Sequence, residues 1–188
     1  MKHDDRVEEA RGPRPEHRLR LRVPADWTRS DLPEETPDFS RDDAFQPLLD
    51  CVAPNAPVRV TVAIRPAFPE GTLAEYAARL GAGEGDRFEV SPCIIASRVG
   101  VVRDGTLGPV RARLFFFEDA GTLWQVGTMA PEPLWSDVET ALTAAISSAE
   151  LSGRPATLTR AAAATRDSER AMIVTEAFLR ILQVAACA

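Results

Sequence analysis

The residue types that most often carry out catalysis are few and far apart in this sequence. The two histidines, His3 and His17, fall in the first segment, and the three cysteines, Cys51, Cys93 and Cys187, are widely spaced. A cysteine nucleophile needs a base within hydrogen-bond reach, and we expect the first segment to lack the apolar anchors that would fix a histidine. Apolar neighbours make Cys93 typical of an inert core thiol. We therefore expect no catalytic residues and no enzymatic activity.

Motifs for cofactors and metals are also missing. The glycine-rich run at 81–86, GAGEGD, follows a predicted helix and lacks the Lys-Ser/Thr pair of a phosphate-binding loop. Acidic residues gather at 4–5, 34–35 and 38–43. A divalent cation needs several oxygens that converge on one point, and no calcium-loop spacing is present, so we interpret these acids as solvated. The sequence predicts no cofactor and no metal.

Cysteine usage and charge indicate the compartment and the class of partner. An odd number of widely spaced cysteines argues against a disulfide framework, and no apolar run approaches the ~20 residues that cross a bilayer, so we expect a cytoplasmic protein. Residues 23–150 carry ten arginines and twenty acidic residues, whereas residues 1–22 and 151–188 each carry a net charge of +2. An acidic body repels phosphate backbones. We expect a protein partner, and neither nucleic acid nor a membrane.

Arginines in the first segment leave an alternative open. Arg18, Arg20 and Arg22 alternate with apolar residues, which is typical of the solvated face of a strand. Together with Arg14, they could instead contact an anionic partner.

Hydrophobic periodicity predicts an α+β fold with an antiparallel sheet sandwiched by helices. Period-two alternation predicts strands, and apolar stripes at helical spacing predict helices. The predicted strands cover residues 17–23, 58–65, 93–103, 109–118 and 123–130. Asp104-Gly105 is a strong signal for the turn between two of them. The predicted helices cover residues 72–80 and 132–149, with a short helical turn within 44–52. Residues 1–16 are interpreted as a flexible lead-in, residues 17–152 as the domain, and residues 153–188 as a helical extension.

Three aromatic side chains are candidates for a partner-binding surface. Phe115 and Phe117 share one face of a predicted strand, and Trp124 lies on the next strand. Ordinary core packing would explain the same cluster. The alternative is an apolar groove that takes a partner's helix or a small apolar ligand.

A further helical pattern covers residues 160–186. Its apolar positions at heptad-like spacing are Ala171, Val174, Phe178, Ile181 and Ala185, with Leu182 beside them. A helix of this length is marginal in water when isolated, so these residues must pack on the domain's own sheet or on a second copy. Since two other helices are already available to cover the sheet, we favour the second copy and expect a homodimer.

Four motifs in order resemble the PsbP-like superfamily and its bacterial DcrB-like domains of unknown function. They are RVPADW at 22–27, VTVAIRPAFPEGTLAEYAARL at 60–80, VRARLFFFEDAGTLWQVGTMAPEPLW at 110–135, and ISSAEL at 146–151. The resemblance covers residues 17–152. It implies a helix-covered antiparallel sheet in a family of mostly non-enzymatic proteins. These include extrinsic photosystem subunits, a nuclear-import factor that binds a small GTPase, and the Eag chaperones of type VI secretion effectors.

The expected function is a protein-interaction module, either an adaptor or a chaperone. In an Eag-like form it would shield an apolar segment of a secreted effector. A binder of a small apolar ligand, in a groove under the 28–57 loop, is the alternative, and an enzyme with a carboxylate-based site is a third hypothesis.

Overall fold

Two antiparallel sheets and two helices make up the part of the chain that the computed structural model describes, residues 4–32, 44–65, 70–80 and 87–152. The helices are α1 (Leu73–Arg79) and α2 (Trp135–Ser147), and a 3-10 turn (Glu132–Leu134) leads into α2. Neither helix is long and apolar enough to cross a membrane, and no other helix occurs in these ranges.

The larger sheet has seven strands and the smaller sheet has three. The strands are β1 (Asp5–Arg11), β2 (Arg18–Pro24), β3 (Thr28–Arg29), β4 (Gln46–Val52), β5 (Arg59–Arg65), β6 (Arg87–Ile95), β7 (Arg98–Leu107), β8 (Val110–Asp119), β9 (Thr122–Pro131) and β10 (Glu150–Leu151). The larger sheet runs β3-β4-β5-β9-β8-β7-β6, and the smaller sheet runs β1-β2-β10. The strands pair antiparallel throughout, as the sequence predicts.

Both faces of the larger sheet carry a hydrophobic core. Alternating residues of β5, such as Val60 and Val62, face the main core, which the smaller sheet and α2 close from the other side. A second core lies under α1, where Tyr76 meets Phe116 edge-on at 6.1 Å between ring centroids. The predicted sandwich is therefore correct, with the addition that a second sheet shares one face with a helix.

Helix α1 begins where the sequence predicts. Thr72 Oγ1 accepts a hydrogen bond from the Glu75 backbone N–H at 3.2 Å, and the Thr72 N–H donates to Glu75 Oε2 at 2.8 Å. This reciprocal capping box satisfies two backbone donors that the first helical turn leaves unpaired.

The first segment corrects one expectation. Residues 5–11, interpreted as part of a flexible lead-in, form β1 and pair along their whole length with β2. Ala10 is fully buried in the main core, and ion pairs such as Arg6–Glu8 at 2.8 Å lie along the strand. The pattern was missed because ladder pairing with β2, and not an apolar run of its own, stabilises this strand.

Three further expectations about local structure are wrong. Residues 46–52 form β4, with an irregularity between Pro47 and Leu49, and not a helical turn. Asp104-Gly105 does not turn the chain but lies inside β7, and the turn from β7 to β8 falls at Gly108-Pro109, between the paired residues Leu107 and Val110. The predicted single strand 93–103 is also wrong, because a turn at Ala96-Ser97, where φ is +50° and +59°, divides it between β6 and β7. A Cβ at position 105 would overlap the backbone of β6. That glycine therefore permits a close approach of two strands.

Candidate functional site

A groove of about 410 Å³ lies on the α2 side of the larger sheet. The C-terminal half of α2 and the start of β10 line one side, and the tip of the β6–β7 hairpin lines the other. Side chains of β8 and β9 complete it. Its apolar lining residues are Ile94, Ile95, Ala96, Phe115, Leu142, Ile146 and Ala149, and its polar ones are Ser97, Arg113, Thr128, Thr143, Ser147 and Glu150.

Helical and strand periodicity place these side chains together. Leu142, Ile146 and Ala149 follow one another at i, i+4 and i+7, so they form one stripe at the end of α2. Arg113 and Phe115 are two apart on β8 and therefore share a face of the sheet. Phe115 is half-buried, and Ile94 is 80% exposed. The groove therefore extends from the edge of the main core to the exposed side chain of Ile94.

An ion-pair network fixes the polar end of the groove. Arg113 Nε donates to Asp104 Oδ2 at 2.6 Å, and Arg113 Nη2 donates to Glu139 Oε1 at 2.6 Å. Burial alone would lower the pKa of Arg113, but hydrogen bonds to these two carboxylates outweigh it and raise the pKa. The guanidinium also lies 5.1 Å from the ring centroid of Trp135. Because its charge is already balanced, Arg113 positions the groove wall and offers little attraction to an anion.

The structure separates the three aromatic residues that the sequence grouped as a binding surface. Phe117 and Trp124 are fully buried and stack in parallel, with ring centroids 6.0 Å apart and planes at 4°. Their assignment to a partner-binding surface is wrong, since core packing removes both from solvent. Phe115 alone lines the groove.

The remaining predicted surface lies outside the described residues. Val174, Phe178, Ile181 and Leu182, with the whole helical pattern at 160–186, belong to residues 153–188, so their role stays a prediction. The groove also differs in position from the one expected under the 28–57 loop. Of the residues that the structure describes in that range, none lines the groove, and Leu49 and Cys51 are instead buried strand residues of the main core.

His17 and Cys51 are buried in the packed interior, and Cys93 is half-buried against the main core. His17 is 4% exposed, not loosely held as expected, because its Nε2 lies 3.0 Å from Thr122 Oγ1 and its ring meets Trp124 edge-on. Burial lowers the pKa of His17. Burial also raises the pKa of Cys51 and of Cys93 to about 11. These thiols are protonated at neutral pH and are therefore poor nucleophiles.

Within the described ranges, no cluster of three or more His, Cys, Asp or Glu side chains could hold a metal ion. The acidic stretch 38–43 lies outside those ranges. The groove residues Ile94, Arg113 and Ile146 were not singled out by the sequence, since they come from three elements far apart in the chain. No local motif marks such a juxtaposition.

Several solved structures have a fold similar to that of this chain. The chain resembles the solution structure of cyanobacterial PsbP (CyanoP) from Synechocystis sp. PCC 6803, with a TM-score of 0.55 and 13% identity over 78% of this chain and 92% of that one. LpqN, involved in cell envelope biogenesis of Mycobacterium tuberculosis, aligns with a TM-score of 0.49 and 16% identity over 78% and 90% of the two chains. PA94, a protein of unknown function from Pseudomonas aeruginosa, aligns with a TM-score of 0.45 and 19% identity over 70% of this chain and 99% of that one.

The likeness to CyanoP confirms the predicted PsbP-like fold, an antiparallel sheet with helices in a mixed α+β arrangement. No protein-family model matches the sequence, and no curated protein matches it either. At 13% identity the resemblance establishes architecture alone, because function depends on the site that a fold carries.

Proposed function

We propose that this chain is a non-enzymatic, cytoplasmic protein-interaction domain that holds an apolar helical segment of a partner protein in the groove. The observation that supports this most is the half-buried Phe115 on the sheet face beyond the edge of α2. The groove begins where α2 stops covering the sheet. A second helix beside α2 would complete the layer.

The shape and chemistry of the groove suit a helix. Neighbouring helices pack with their axes about 8–10 Å apart. On its α2 side the groove has the buried Leu142 and Ile146 at its base and the exposed Thr143 and Ser147, which would contact such a helix. Ile94 at the rim is 80% exposed. Fully burying a large apolar side chain contributes about 1.5–3 kcal/mol, so covering Ile94 and the exposed part of Phe115 would contribute about 3 kcal/mol to binding. That contribution favours a weak or exchangeable complex, as an adaptor or chaperone needs.

A secreted effector is the partner that we favour, with its apolar segment shielded before export. Support comes from the sequence resemblance to the superfamily that contains the Eag chaperones of type VI secretion, together with the PsbP-like fold. We also propose that the chain forms a homodimer through Val174, Phe178 and Ile181, which follow heptad-like spacing, and through Leu182 beside them.

One observation favours a second candidate function, the binding of a small apolar ligand. The groove volume of about 410 Å³ falls in the ~300–1,000 Å³ range of small-molecule sites. Native mass spectrometry of the purified protein separates the two proposals. A co-purifying lipid that leaves when Phe115 is replaced by aspartate would favour the ligand.

Site-specific photo-crosslinking in the source organism tests the proposal. A benzophenone side chain would replace Ser147, which lines the groove, and a matched variant would carry it at Ser136. Both serines are exposed on α2, and they lie about 16 Å apart along the helix axis. We expect a crosslink to one apolar helical segment from position 147 only, and its loss in the Phe115→Asp background. Equal crosslinking from both positions, or polar extended segments as products, would contradict the proposal.

A further inference from the structure

The outer face of the smaller sheet is strongly basic. Arg11 on β1 and Arg18, Arg20 and Arg22 on β2 are all exposed and point away from the main core, which takes the alternate residues Leu19, Leu21 and Val23. We call these four arginines the arginine face. They lie on a chain whose net charge is −6, so the face is a local reversal of the overall charge.

Carboxylates within the described residues pair with only two of these four arginines. Glu9 accepts hydrogen bonds from Arg11 at 2.5 Å and from Arg20 at 3.1 Å, and these bonds lower the pKa of Glu9. Arg18 and Arg22 form no ion pair with the carboxylates that the structure describes. Two positive charges on this face are therefore available to an anionic partner.

The register of the sheet places like charges opposite each other. Arg11 and Arg18 are direct cross-strand partners, and like charges in that position destabilise a sheet. The opposite inner pair, Ala10 and Leu19, is fully buried. Glu9 compensates Arg11, whereas Arg18 has no carboxylate partner among the described residues, so an acidic group from outside would relieve this repulsion.

The arginine face adjoins the groove across the edge strand β10. Glu150 lines the groove and is also the cross-strand partner of Arg20. The Arg22 backbone N–H donates to Ser148 Oγ at 2.7 Å, immediately after the groove residue Ser147. A chain leaving the groove past the end of α2 therefore reaches Arg22 within a few residues.

We propose that the arginine face binds an acidic stretch that flanks the apolar segment held in the groove, so that the partner segment is apolar and then acidic. The inference rests on the proposed function for the position of that segment. A short acidic peptide fits this face better than a nucleic acid or an anionic membrane does. Residues 23–150 carry a formal charge of −10, and that summed charge opposes the approach of an extended polyanion more than that of a short peptide.

Three synthetic peptides test this directly with the full-length protein. All share an apolar helical half, and the second half consists of glutamates, glutamines or lysines. The variant R18E/R22E reverses the two unpaired arginines. The control R79E/R87E changes the net charge equally at exposed arginines on α1 and β6. Fluorescence anisotropy at physiological salt measures each dissociation constant, and circular dichroism melting verifies that every variant is folded.

We expect the glutamate peptide to bind about tenfold more tightly than the glutamine peptide, which is the effect of two exposed ion pairs. R18E/R22E should abolish this difference and prefer the lysine peptide, whereas R79E/R87E should keep the wild-type order. Equal binding of all three peptides would overturn the acidic flank while leaving the groove proposal intact. A different result would separate the two proposals. If the glutamine peptide does not bind and the glutamate peptide binds only when Arg18 and Arg22 are present, the proposal for the arginine face is supported and the proposal for the groove is refuted.

The same variants test the two competing partners. Vesicles containing phosphatidylglycerol and a single-stranded oligonucleotide are measured under identical conditions. The assignment to an acidic peptide would be overturned if the vesicles or the oligonucleotide bound more tightly than the glutamate peptide. That binding would also have to be lost in R18E/R22E and kept in R79E/R87E.

Discussion

Replacing Phe117 by alanine should destabilise the fold far more than replacing Phe115, although both lie on one face of β8. Phe117 is 0% exposed and stacks on Trp124 with ring centroids 6.0 Å apart. Its truncation removes a phenyl group from a close-packed core, which costs about 3–5 kcal/mol of unfolding free energy. Phe115 is half-buried beside the groove, so its truncation forms no closed cavity and should cost about 1 kcal/mol.

Urea unfolding followed by far-ultraviolet circular dichroism measures both free energies without depending on the fluorescence of Trp124. For a chain of this size, the loss at Phe117 corresponds to a fall in Tm of about 10 °C. The milder apolar substitution Phe117→Leu controls for loss of fold, and it should bind the partner segment normally, whereas Phe115→Ala should bind it more weakly. Equal destabilisation by the two alanine variants, or weaker binding by Phe117→Leu than by Phe115→Ala, would refute this division between core and groove.

Three further predictions concern titration, thiol reactivity and self-association. Because burial lowers the pKa of His17 below its unfolded value, which is about 6.5, the unfolded chain takes up the proton more readily. The stability present above pH ~6.5 is therefore lost as the pH falls through that value. Melting curves between neutral and mildly acidic pH should show a steeper loss for wild type than for His17→Leu, and parallel losses would contradict this. In a Cys187→Ser background, the remaining thiols are those of Cys51 and Cys93, whose pKa values are about 11. They should react with a disulfide reagent at neutral pH only when the protein unfolds. Rapid reaction of the folded protein would contradict this, because it would show an exposed thiolate. Phe178→Asp should convert a dimer into a monomer in sedimentation velocity with an unchanged melting curve, and a monomeric wild type at tens of micromolar would refute the dimer.

Sequence patterns correctly predicted the strands and helices whose own residues show which face is buried or where the element begins. Strand β5 alternates between buried and more exposed residues from Arg59 to Ile64, and α1 carries its own capping box at Thr72. Period-two and period-3.6 patterns report directly which face is buried. Both elements appear within one or two residues of their predicted bounds.

Elements that depend on tertiary pairing were missed. Strand β1 buries a single residue fully, Ala10, and its order comes from the ladder with β2. Gly105 looked like a turn residue beside Asp104, but its role is to admit the backbone of β6. A sequence pattern reports that a glycine is needed and not which neighbouring strand requires it.

The site was predictable only in part, for the same reason. The sequence identified Phe115, Phe117 and Trp124 as neighbours, and the stacking of the last two agrees with that. It did not separate exposed from buried members, since all three occur in equally apolar surroundings. The end of α2 was predicted to within two residues. The groove itself depends on how α2, β8 and the β6–β7 hairpin meet, and no local pattern encodes the meeting of elements far apart in the chain.

Methyl NMR of the complex with the partner segment identified by crosslinking tests the central claim most directly. With isoleucine δ1 methyls labelled, the proposal predicts intermolecular nuclear Overhauser effects to Ile94 and Ile146, which line the groove. It predicts none to Ile64, which is fully buried in the main core. Effects confined to methyls outside the groove, such as those of the exposed Val7 and Leu107 in a valine- and leucine-labelled sample, would contradict the claim that this groove holds the partner.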